Sequence, residues 1–583
     1  MQIAARFSKN ALTHRKRIAL RPITISLATS RDRAEIYRAR HHIYARELQQ
    51  HPVNDLGCLS DSLDDRNIFV IARSEGELGG FISITPPGES YSIDKYFART
   101  ALPFPVNRYL YEVRLLSVLK AQRGSDLAAL LMYAAFRWVE SHGGDRIMVL
   151  GRREILDLYL KVGLARTGME GQSGMVTYEL LHASLPALRE RLDSYPKIVE
   201  RLAEKTDWKL HFPFCKSTAC FHGGSFFKAI GERFDSLEDR ADVINADVLD
   251  AWFPPSPKAL AVLERHLPWL LQTSPPADCA GLIEVIAEVR GVEPANILPG
   301  AGSSDLIFRV LRQWLTPASH ALVLDPTYGE YAHVLENVIG CTLDRLSLSR
   351  ADNYKVSLER LEVALQDGYD LVVLVNPNSP TGQYLGRDEL EAVLRRVPQQ
   401  TRVWVDETYL EYVGAEQSLE QFAARSENVL VCKSMSKTYA LSGARVAYLC
   451  AGQHQLEELR TITPPWVVNL PAQAAAVEAL HDPSYYQERY EETHKLRDDL
   501  ANKLEALGWD VIHGAANFLL CHLPDHGPDA ASLIRACQEK HLYLRDAATM
   551  GAGMGERAIR LAVKDGATNS RMLEIITDLL AQE

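Results

Sequence analysis

The chain has 583 residues, 46% apolar and 24% charged, with 75 acidic against 64 basic side chains and a formal charge of −11. That composition excludes a mostly disordered chain, and a net negative surface argues against nucleic-acid binding as the main role. No apolar run approaches the roughly eighteen residues of a membrane span, and nine scattered cysteines in a large chain read as thiols of a reducing compartment, so a cytoplasmic multidomain protein is expected.

Residues 1–22 carry Arg6, Lys9, Arg15, Lys16, Arg17 and Arg21 and no acid. They lack the apolar core and small-residue cleavage site of a secretory signal, and read as a basic tail. A first unit is expected over residues 23–184. Its predicted elements are a helix over Arg31–Gln49, strands at Ile68–Arg73, Gly80–Thr85 and Tyr111–Val118, a helix over Ser125–His142 and a strand at Ile147–Leu150. Residues 185–234 read as an amphipathic helix followed by irregular, aromatic-rich sequence, hence a linker. His41-His42 falls on the first helix, where a core or surface role explains it as well as catalysis does. Cys215, Cys220 and His222 have an unusual spacing for zinc and no obvious fourth ligand, which favours buried structural cysteines.

From residue 235 to 583 short continuous apolar runs alternate with helix-length stretches. Ala321–Asp325, Leu371–Asn376, Arg402–Asp406 and Val429–Cys432 are rich in β-branched residues, and each leads into turn residues. That rhythm predicts a parallel sheet with helices on both faces. Ligands of such sheets bind beyond the carboxyl ends of the strands, so the residues that follow the runs are the candidates. Gly300-Ala-Gly-Ser-Ser-Asp305 opens an apolar helix and reads either as a phosphate cradle or as a capped tight turn. After the strands come Tyr328, the turn Asn376-Pro-Asn-Ser-Pro-Thr-Gly382, Asp406 with Tyr409, and Lys433-Ser-Met-Ser-Lys437 with Arg445 beyond. Singly, Asp406 reads as a helix cap, Lys437 as a surface lysine and Tyr328 as core; an acid ending a buried strand, however, is costly unless a cation meets it. The acid-rich stretch Glu416 to Glu427 reads as a solvated helix face.

In their order and placement these motifs resemble the fold-type I pyridoxal-phosphate (PLP) enzymes, nearest to the histidinol-phosphate aminotransferase branch of class I/II aminotransferases. The resemblance implies that Lys437 binds the cofactor covalently and shuttles the proton at the substrate Cα. It implies that Asp406 pairs with the pyridinium nitrogen, that Tyr409 bonds the ring oxygen and that Tyr328 stacks on the ring. The phosphate then falls to Ser303, Ser304, Ser434 and Arg445, and the substrate carboxylate to Arg560 in Ala558-Ile-Arg560-Leu-Ala-Val. The sequence departs from the family at three places. The usual Asn before Pro-Thr-Gly is Ser379, with Asn378 one earlier, and either is the candidate for the ring oxygen. The usual Asn-rich early turn is replaced by Asn245-Ala-Asp-Val-Leu-Asp-Ala-Trp-Phe-Pro-Pro-Ser-Pro257. The tyrosine that reaches the neighbouring subunit has no counterpart in Leu263–Trp269.

The first unit resembles the GNAT acyltransferase fold, leaning towards the acyl-homoserine-lactone and N-acyl amino acid branch. The resemblance is carried by Arg40-His-His-Ile-Tyr-Ala-Arg-Glu47, Asp61–Asp65, Tyr111–Val118 and Gln122-Arg-Gly124-Ser. In the family's pyrophosphate turn Ala121 replaces the first member and Asp126 the last; only Gly124 fits.

The expected protein is therefore α/β throughout: a mixed GNAT-like unit, then a fold-type I aminotransferase with a large, mostly parallel sheet and a small α/β domain. The expected function is PLP-dependent amino transfer on an amino acid or amine, fused to an acyltransferase-like unit that uses acyl-CoA or an acyl-carrier protein, in specialised metabolism. The alternative is PLP-dependent decarboxylation, elimination or carbon–carbon bond formation beside a non-catalytic docking unit. A homodimer is implied, and neither nucleic acid nor membrane is an expected partner.

Overall fold

The computed structural model describes residues 22–215, 223–231 and 233–581. The basic stretch through Arg21, and Cys220 and His222, lie outside the described residues. The chain divides into two compact units, residues 1–218 and 219–583.

The first unit is an eight-stranded sheet. Its strands are β1 (Ile23–Leu27), β2 (Ile68–Ser74), β3 (Glu77–Thr85), β4 (Leu110–Val118), β5 (Arg146–Arg152), β6 (Ala165–Ser173), β7 (Val176–Ser184) and β8 (Thr206–Trp208), in the order β6-β7-β5-β4-β3-β2-β1-β8. Helices α1 (Ser30–Arg40), α2 (Leu127–Ser141), α3 (Leu156–Lys161), α4 (Leu185–Asp193) and α5 (Pro196–Glu204) accompany it. Thr29 and Asp32 form a capping box that starts α1, and its line continues as a π-helix over His41–Glu47. Helix α2 buries Leu127, Leu131 and Phe136 against the sheet. Strands β4 and β5 run parallel but pair only from Leu110–Arg146 to Glu112–Met148. Beyond that β5 stays paired with β7 to Arg152 and β4 with β3 to Val118, so a fork opens between them. A register irregularity in the β3–β4 pairing and the left-handed backbone of Leu115 (φ 57°) mark the place.

The segment expected to be a linker is structured up to residue 208. Its start is helical as read, with Ser184 capping α4, and β8 adds a parallel edge strand beside β1; a three-residue strand carries too little periodicity to show in sequence. Cys215 is exposed rather than buried. His41 is buried and accepts a hydrogen bond from the Asn54 backbone N–H at 3.1 Å, a structural role.

The second unit holds the larger sheet. Strands β9 (Ile244–Asn245), β10 (Ile297–Gly300), β11 (His320–Asp325), β12 (Thr342–Ser347), β13 (Leu371–Val375), β14 (Arg402–Asp406), β15 (Val429–Ser434) and β16 (Ala447–Cys450) precede a smaller group: β17 (Asp510–Ile512), β18 (Phe518–His522), β19 (Leu542–Tyr543), β20 (Arg545–Asp546) and β21 (Ala558–Ala562). The seven-stranded order is β10-β16-β15-β14-β13-β11-β12. The pairs from β15 to β12 are parallel, and β16 is antiparallel to both neighbours. The antiparallel four-stranded sheet β17-β18-β21-β20 forms the small domain, and β19 pairs with β9. Helices α6 (Pro257–Gln272), α7 (Ala280–Arg290) and α8 (Ser303–Trp314) begin the covering layers. Leu371–Val375 and Val429–Ser434 are buried at every position, as continuous apolar strands of a two-sided sheet must be.

Alternation at the strand ends separates two sets of polar groups. Asp406 and Ser434 face a cavity, whereas their neighbours Glu407 and Lys433 enter a buried ionic cluster. Lys433 meets Glu411 at 2.9 Å, Glu407 at 3.2 Å and Glu420 at 3.7 Å, and Arg290 meets Glu411 at 2.9 Å. Glu420 is 2% exposed, so the acid-rich stretch is not wholly a solvated face: its cationic partners, Arg290 and Lys433, lie more than ten residues away, where local composition gives no sign of them.

Candidate active site

The carboxyl ends of β11, β13, β14 and β15 open on a cavity of about 510 Å³, lined by Ser303, Ser304, Tyr328, Ser379, Asp406, Tyr409, Ser434, Lys437, Arg445 and Arg560. Ten of the eleven residues proposed from sequence thus converge. The eleventh, Asn378, is 1% exposed and spent on tying its loop to the one after β11. It accepts from Thr327 Oγ1 at 3.0 Å and donates to Pro326 O at 3.0 Å and Thr381 Oγ1 at 3.2 Å. Ser379, not Asn378, reaches the cavity.

Asp406 forms the floor. It accepts from Tyr331 Oη at 2.7 Å, Thr408 Oγ1 at 2.6 Å and Thr408 N at 3.0 Å. Burial nevertheless pushes its carboxyl above the ordinary value. Among the described residues no cation pairs with it, so the site is built for a positively charged N–H delivered by something bound.

The opposite end suits an anion. Helix α8 begins at Ser303 after Gly302, whose φ is 91°, and backbone N–H groups at a helix start attract phosphate. A Cβ on Gly302 would lie 2.3 Å from Arg445 Nη2, so the glycine lets the guanidinium close over the helix start. Ser434 Oγ accepts from Ser436 N, capping the short helix Met435–Thr438 that carries Lys437. Glu330, which the sequence did not single out, holds Ser304 Oγ at 2.9 Å and Tyr328 Oη at 2.7 Å. Substituting Gly302→Ala is expected to displace Arg445 and weaken cofactor binding about tenfold to a hundredfold, the loss of one charged hydrogen bond, as read by PLP titration.

Lys437 Nζ donates to Asp250 Oδ1 at 2.8 Å, and Ser442 Oγ donates to the same oxygen at 2.6 Å. Burial would raise the Asp250 carboxyl, but Lys437 and Ser442 hold it below its usual value. Arg560 donates to Ser379 Oγ at 3.2 Å and to Asp247 O at 3.0 Å, with its Nε buried and unbonded. Burial pulls its guanidinium down to about 10, which an incoming carboxylate would reverse. Arg545 also lines the cavity. Asp250, Asp247 and Arg545 were missed because they sit in irregular segments or a two-residue strand; a charged residue there looks like surface until the chain folds.

A lysine, a buried uncompensated carboxylate and an arginine-backed helix start share one cavity, and this donor set fits PLP. Residues 270–578 match the family model "Aminotransferase class I and II". The chain belongs to the aminotransferase class I and II family. A relative from Carboxydothermus hydrogenoformans, "Histidinol-phosphate aminotransferase 2", is 30% identical over 296 residues, 50% of this chain and 80% of its own. The histidinol-phosphate aminotransferase from Sinorhizobium meliloti, solved with pyridoxal-5'-phosphate, is 21% identical with a TM-score of 0.52, covering 62% of this chain and all of that one. L-threonine-O-3-phosphate decarboxylase from Porphyromonas gingivalis is 21% identical with a TM-score of 0.50, covering 58% and 100%; both likenesses show the fold. The aminotransferase unit is thus a PLP-dependent transferase by family. Residues 31–164 match the "Acetyltransferase (GNAT) family", so the aminotransferase carries a GNAT unit ahead of it.

In that GNAT unit the turn after β4 keeps Gly124 at φ 86°, but Asp126 stands at the start of α2. Lys205 Nζ and Arg201 Nη2 approach its carboxylate at 3.1 and 3.7 Å.

Proposed function

We propose that the aminotransferase unit moves an amino group between an amino acid or amine and a 2-oxo acid. The observation that carries this reading is the convergence of Lys437, Asp406, Arg445 and Arg560 on one cavity. When bound, PLP supplies an electron sink for the bond broken at the substrate Cα. Lys437 would hold the cofactor and, once free, its amine would move the proton at the substrate Cα. Asp406 would keep a proton on the ring nitrogen, Tyr409 and Ser379 would hydrogen-bond the ring oxygen, and Tyr328 would pack on the ring. The N–H groups of Ser303 and Ser304, the Ser434 hydroxyl and Arg445 would hold its phosphate. Arg560 fixes the substrate carboxylate, and Asp250 keeps the Lys437 ammonium facing the cavity.

The likeness to the decarboxylase supports a second reading, in which the carboxylate bond breaks instead. Incubating the loaded enzyme with a panel of amino acids and 2-oxoglutarate separates the two. Amino transfer gives glutamate and a new 2-oxo acid without carbon dioxide; release of carbon dioxide with no glutamate would sink our first choice.

For the GNAT unit we propose acyl transfer to an amino group from acyl-CoA or an acyl-carrier protein, within the same biosynthetic sequence. We also propose a homodimer built on the aminotransferase unit. Helix α6 leaves Leu267, Trp269 and Leu271 exposed, at 43, 54 and 70%, and exposed aromatic and aliphatic groups on one element mark an association face. Trp269→Glu is expected to shift the protein to monomer in sedimentation; an unchanged dimer would place the interface elsewhere.

A further inference from the structure

The charged side chains that line the aminotransferase cavity are Asp406, Lys437, Arg445, Arg545 and Arg560. The proposed cofactor contacts account for Asp406 at the ring nitrogen, Lys437 at the covalent link and Arg445 at the phosphate. Arg545 and Arg560 remain for the substrate. Two guanidiniums in one site ordinarily suit a ligand with two acidic groups.

Asp247 changes that count. It follows β9, in the segment where the sequence departs from its family, and it is 3% exposed. Its Oδ1 stands 3.7 Å from Arg545 Nη1, and its backbone carbonyl accepts from Arg560 Nη2 at 3.0 Å. One residue therefore touches both arginines. The carboxylate is fixed from its other side by the chain that enters this unit. Gly224 donates its N–H to it, and a Cβ on Gly223 would lie 2.6 Å from Oδ2, so the glycine backbone packs directly on the carboxylate. Burial pushes the Asp247 carboxyl up, and Arg545 and Arg560 act against that rise.

A carboxylate buried beside a guanidinium offsets its charge with little screening by salt. With Asp247 set against Arg545, the substrate end keeps one unbalanced positive charge, on Arg560, and the substrate's own carboxylate meets it. A second anion would come close to Asp247, and among the described residues no further cation lines the cavity to receive it. Like charge and an uncompensated desolvation both act against such a ligand. The wall next to the two arginines is hydrocarbon instead: Val248 and Met550 are half-buried and Leu249 is buried, and all three line the cavity.

We infer that the substrate is an α-amino acid with a single carboxylate and an apolar, uncharged side chain packed on Val248, Leu249 and Met550, and that Asp247 disfavours substrates with a second carboxylate or a phosphate. This rests on the reading of the cavity as the amino-transfer site with Arg560 on the substrate carboxylate. Asp247 acts through Arg545 and is a positioning residue. 2-Oxoglutarate, a dicarboxylate, then serves as acceptor only at higher concentration than a 2-oxo acid with an apolar side chain.

The test reads binding rather than turnover, so it does not depend on which bond at the Cα breaks. Full-length, PLP-loaded protein is titrated by calorimetry with 4-methylpentanoate and with glutarate, unreactive acids of matched chain length that differ in the second carboxylate. 4-Methylpentanoate is expected to bind about tenfold or more tighter than glutarate, and Arg560→Ala to weaken both acids by about tenfold or more. Asp247→Asn removes the charge and keeps the backbone contact to Arg560; it is expected to strengthen glutarate about tenfold and to leave 4-methylpentanoate within about twofold. The wild-type comparison decides the matter even where the variant does not fold. Glutarate bound by the wild-type protein as tightly as 4-methylpentanoate, or an unchanged preference in folded Asp247→Asn, would overturn the inference and leave the reading of the cavity standing. Unchanged affinity of both acids in Arg560→Ala would remove that reading, and the inference with it.

Discussion

Replacing Lys437 with alanine is expected to lower amino transfer by about a hundredfold to ten-thousandfold, the range for removing a proton-transferring side chain, and to prevent covalent attachment of the cofactor. Lys437→Arg should not restore turnover, because a guanidinium keeps its proton and cannot act as the base. The structure makes the loss specific. Lys437 lies on the short helix after β15, held by the bond from Tyr412 Oη to its carbonyl at 3.0 Å, and its amine is aimed by Asp250. The groups proposed to hold the PLP phosphate do not include the lysine amine, so the variant should still bind the cofactor. Single-turnover rates together with a PLP titration check both halves.

The second large effect concerns stability. Lys433→Met removes the cation that three buried carboxylates share, leaving Glu411 and Glu420 with Arg290 alone and Glu407 with no cation among the described residues. Breaking one partner of a buried ionic cluster costs about 3–5 kcal/mol, and denaturant unfolding of the aminotransferase unit should show it. The pH dependence has a defined sign. Burial would raise the Glu411 carboxyl, but Arg290 and Lys433 hold it down at about 2, against an ordinary value of 4.5. Its stabilising contribution is therefore complete above about pH 4.5 and is lost as the pH falls through about 2. In Lys433→Met the loss should begin at higher pH, because half of the positive field is gone.

The strands β11, β13, β14 and β15 were legible because a parallel strand buried on both faces is continuously apolar, as Leu371–Val375 and Val429–Cys432 are; their order in the sheet was not. Strand ends pointed to the segments that hold the candidate site, but Asp406 and Lys437 singly read as a helix cap and a surface lysine; only the order of the motifs, through the family resemblance, gave them roles. Burial and direction were not legible. Asn378 and Ser379 are neighbours in a proline-rich turn, and only the folded loop shows that Asn378 is consumed by Thr327 and Pro326. Glu420 and Lys433 look like solvated charges until sequence-distant partners close around them. Asp250 comes from the early segment where this sequence departs from its family, so no motif could point to it. In the GNAT unit β8 is too short for periodicity to register, and the pairing of Asp126 with Arg201 and Lys205 joins groups more than seventy residues apart in sequence.

The most direct test of the central claim is to load the full-length protein with PLP, reduce it with borohydride and locate the phosphopyridoxyl group by peptide mass spectrometry. The account predicts the modification on Lys437 and its absence in Lys437→Ala. Modification of Lys433, which lies four residues away but is locked into the buried cluster, or of no lysine at all, would contradict the assignment of the active site.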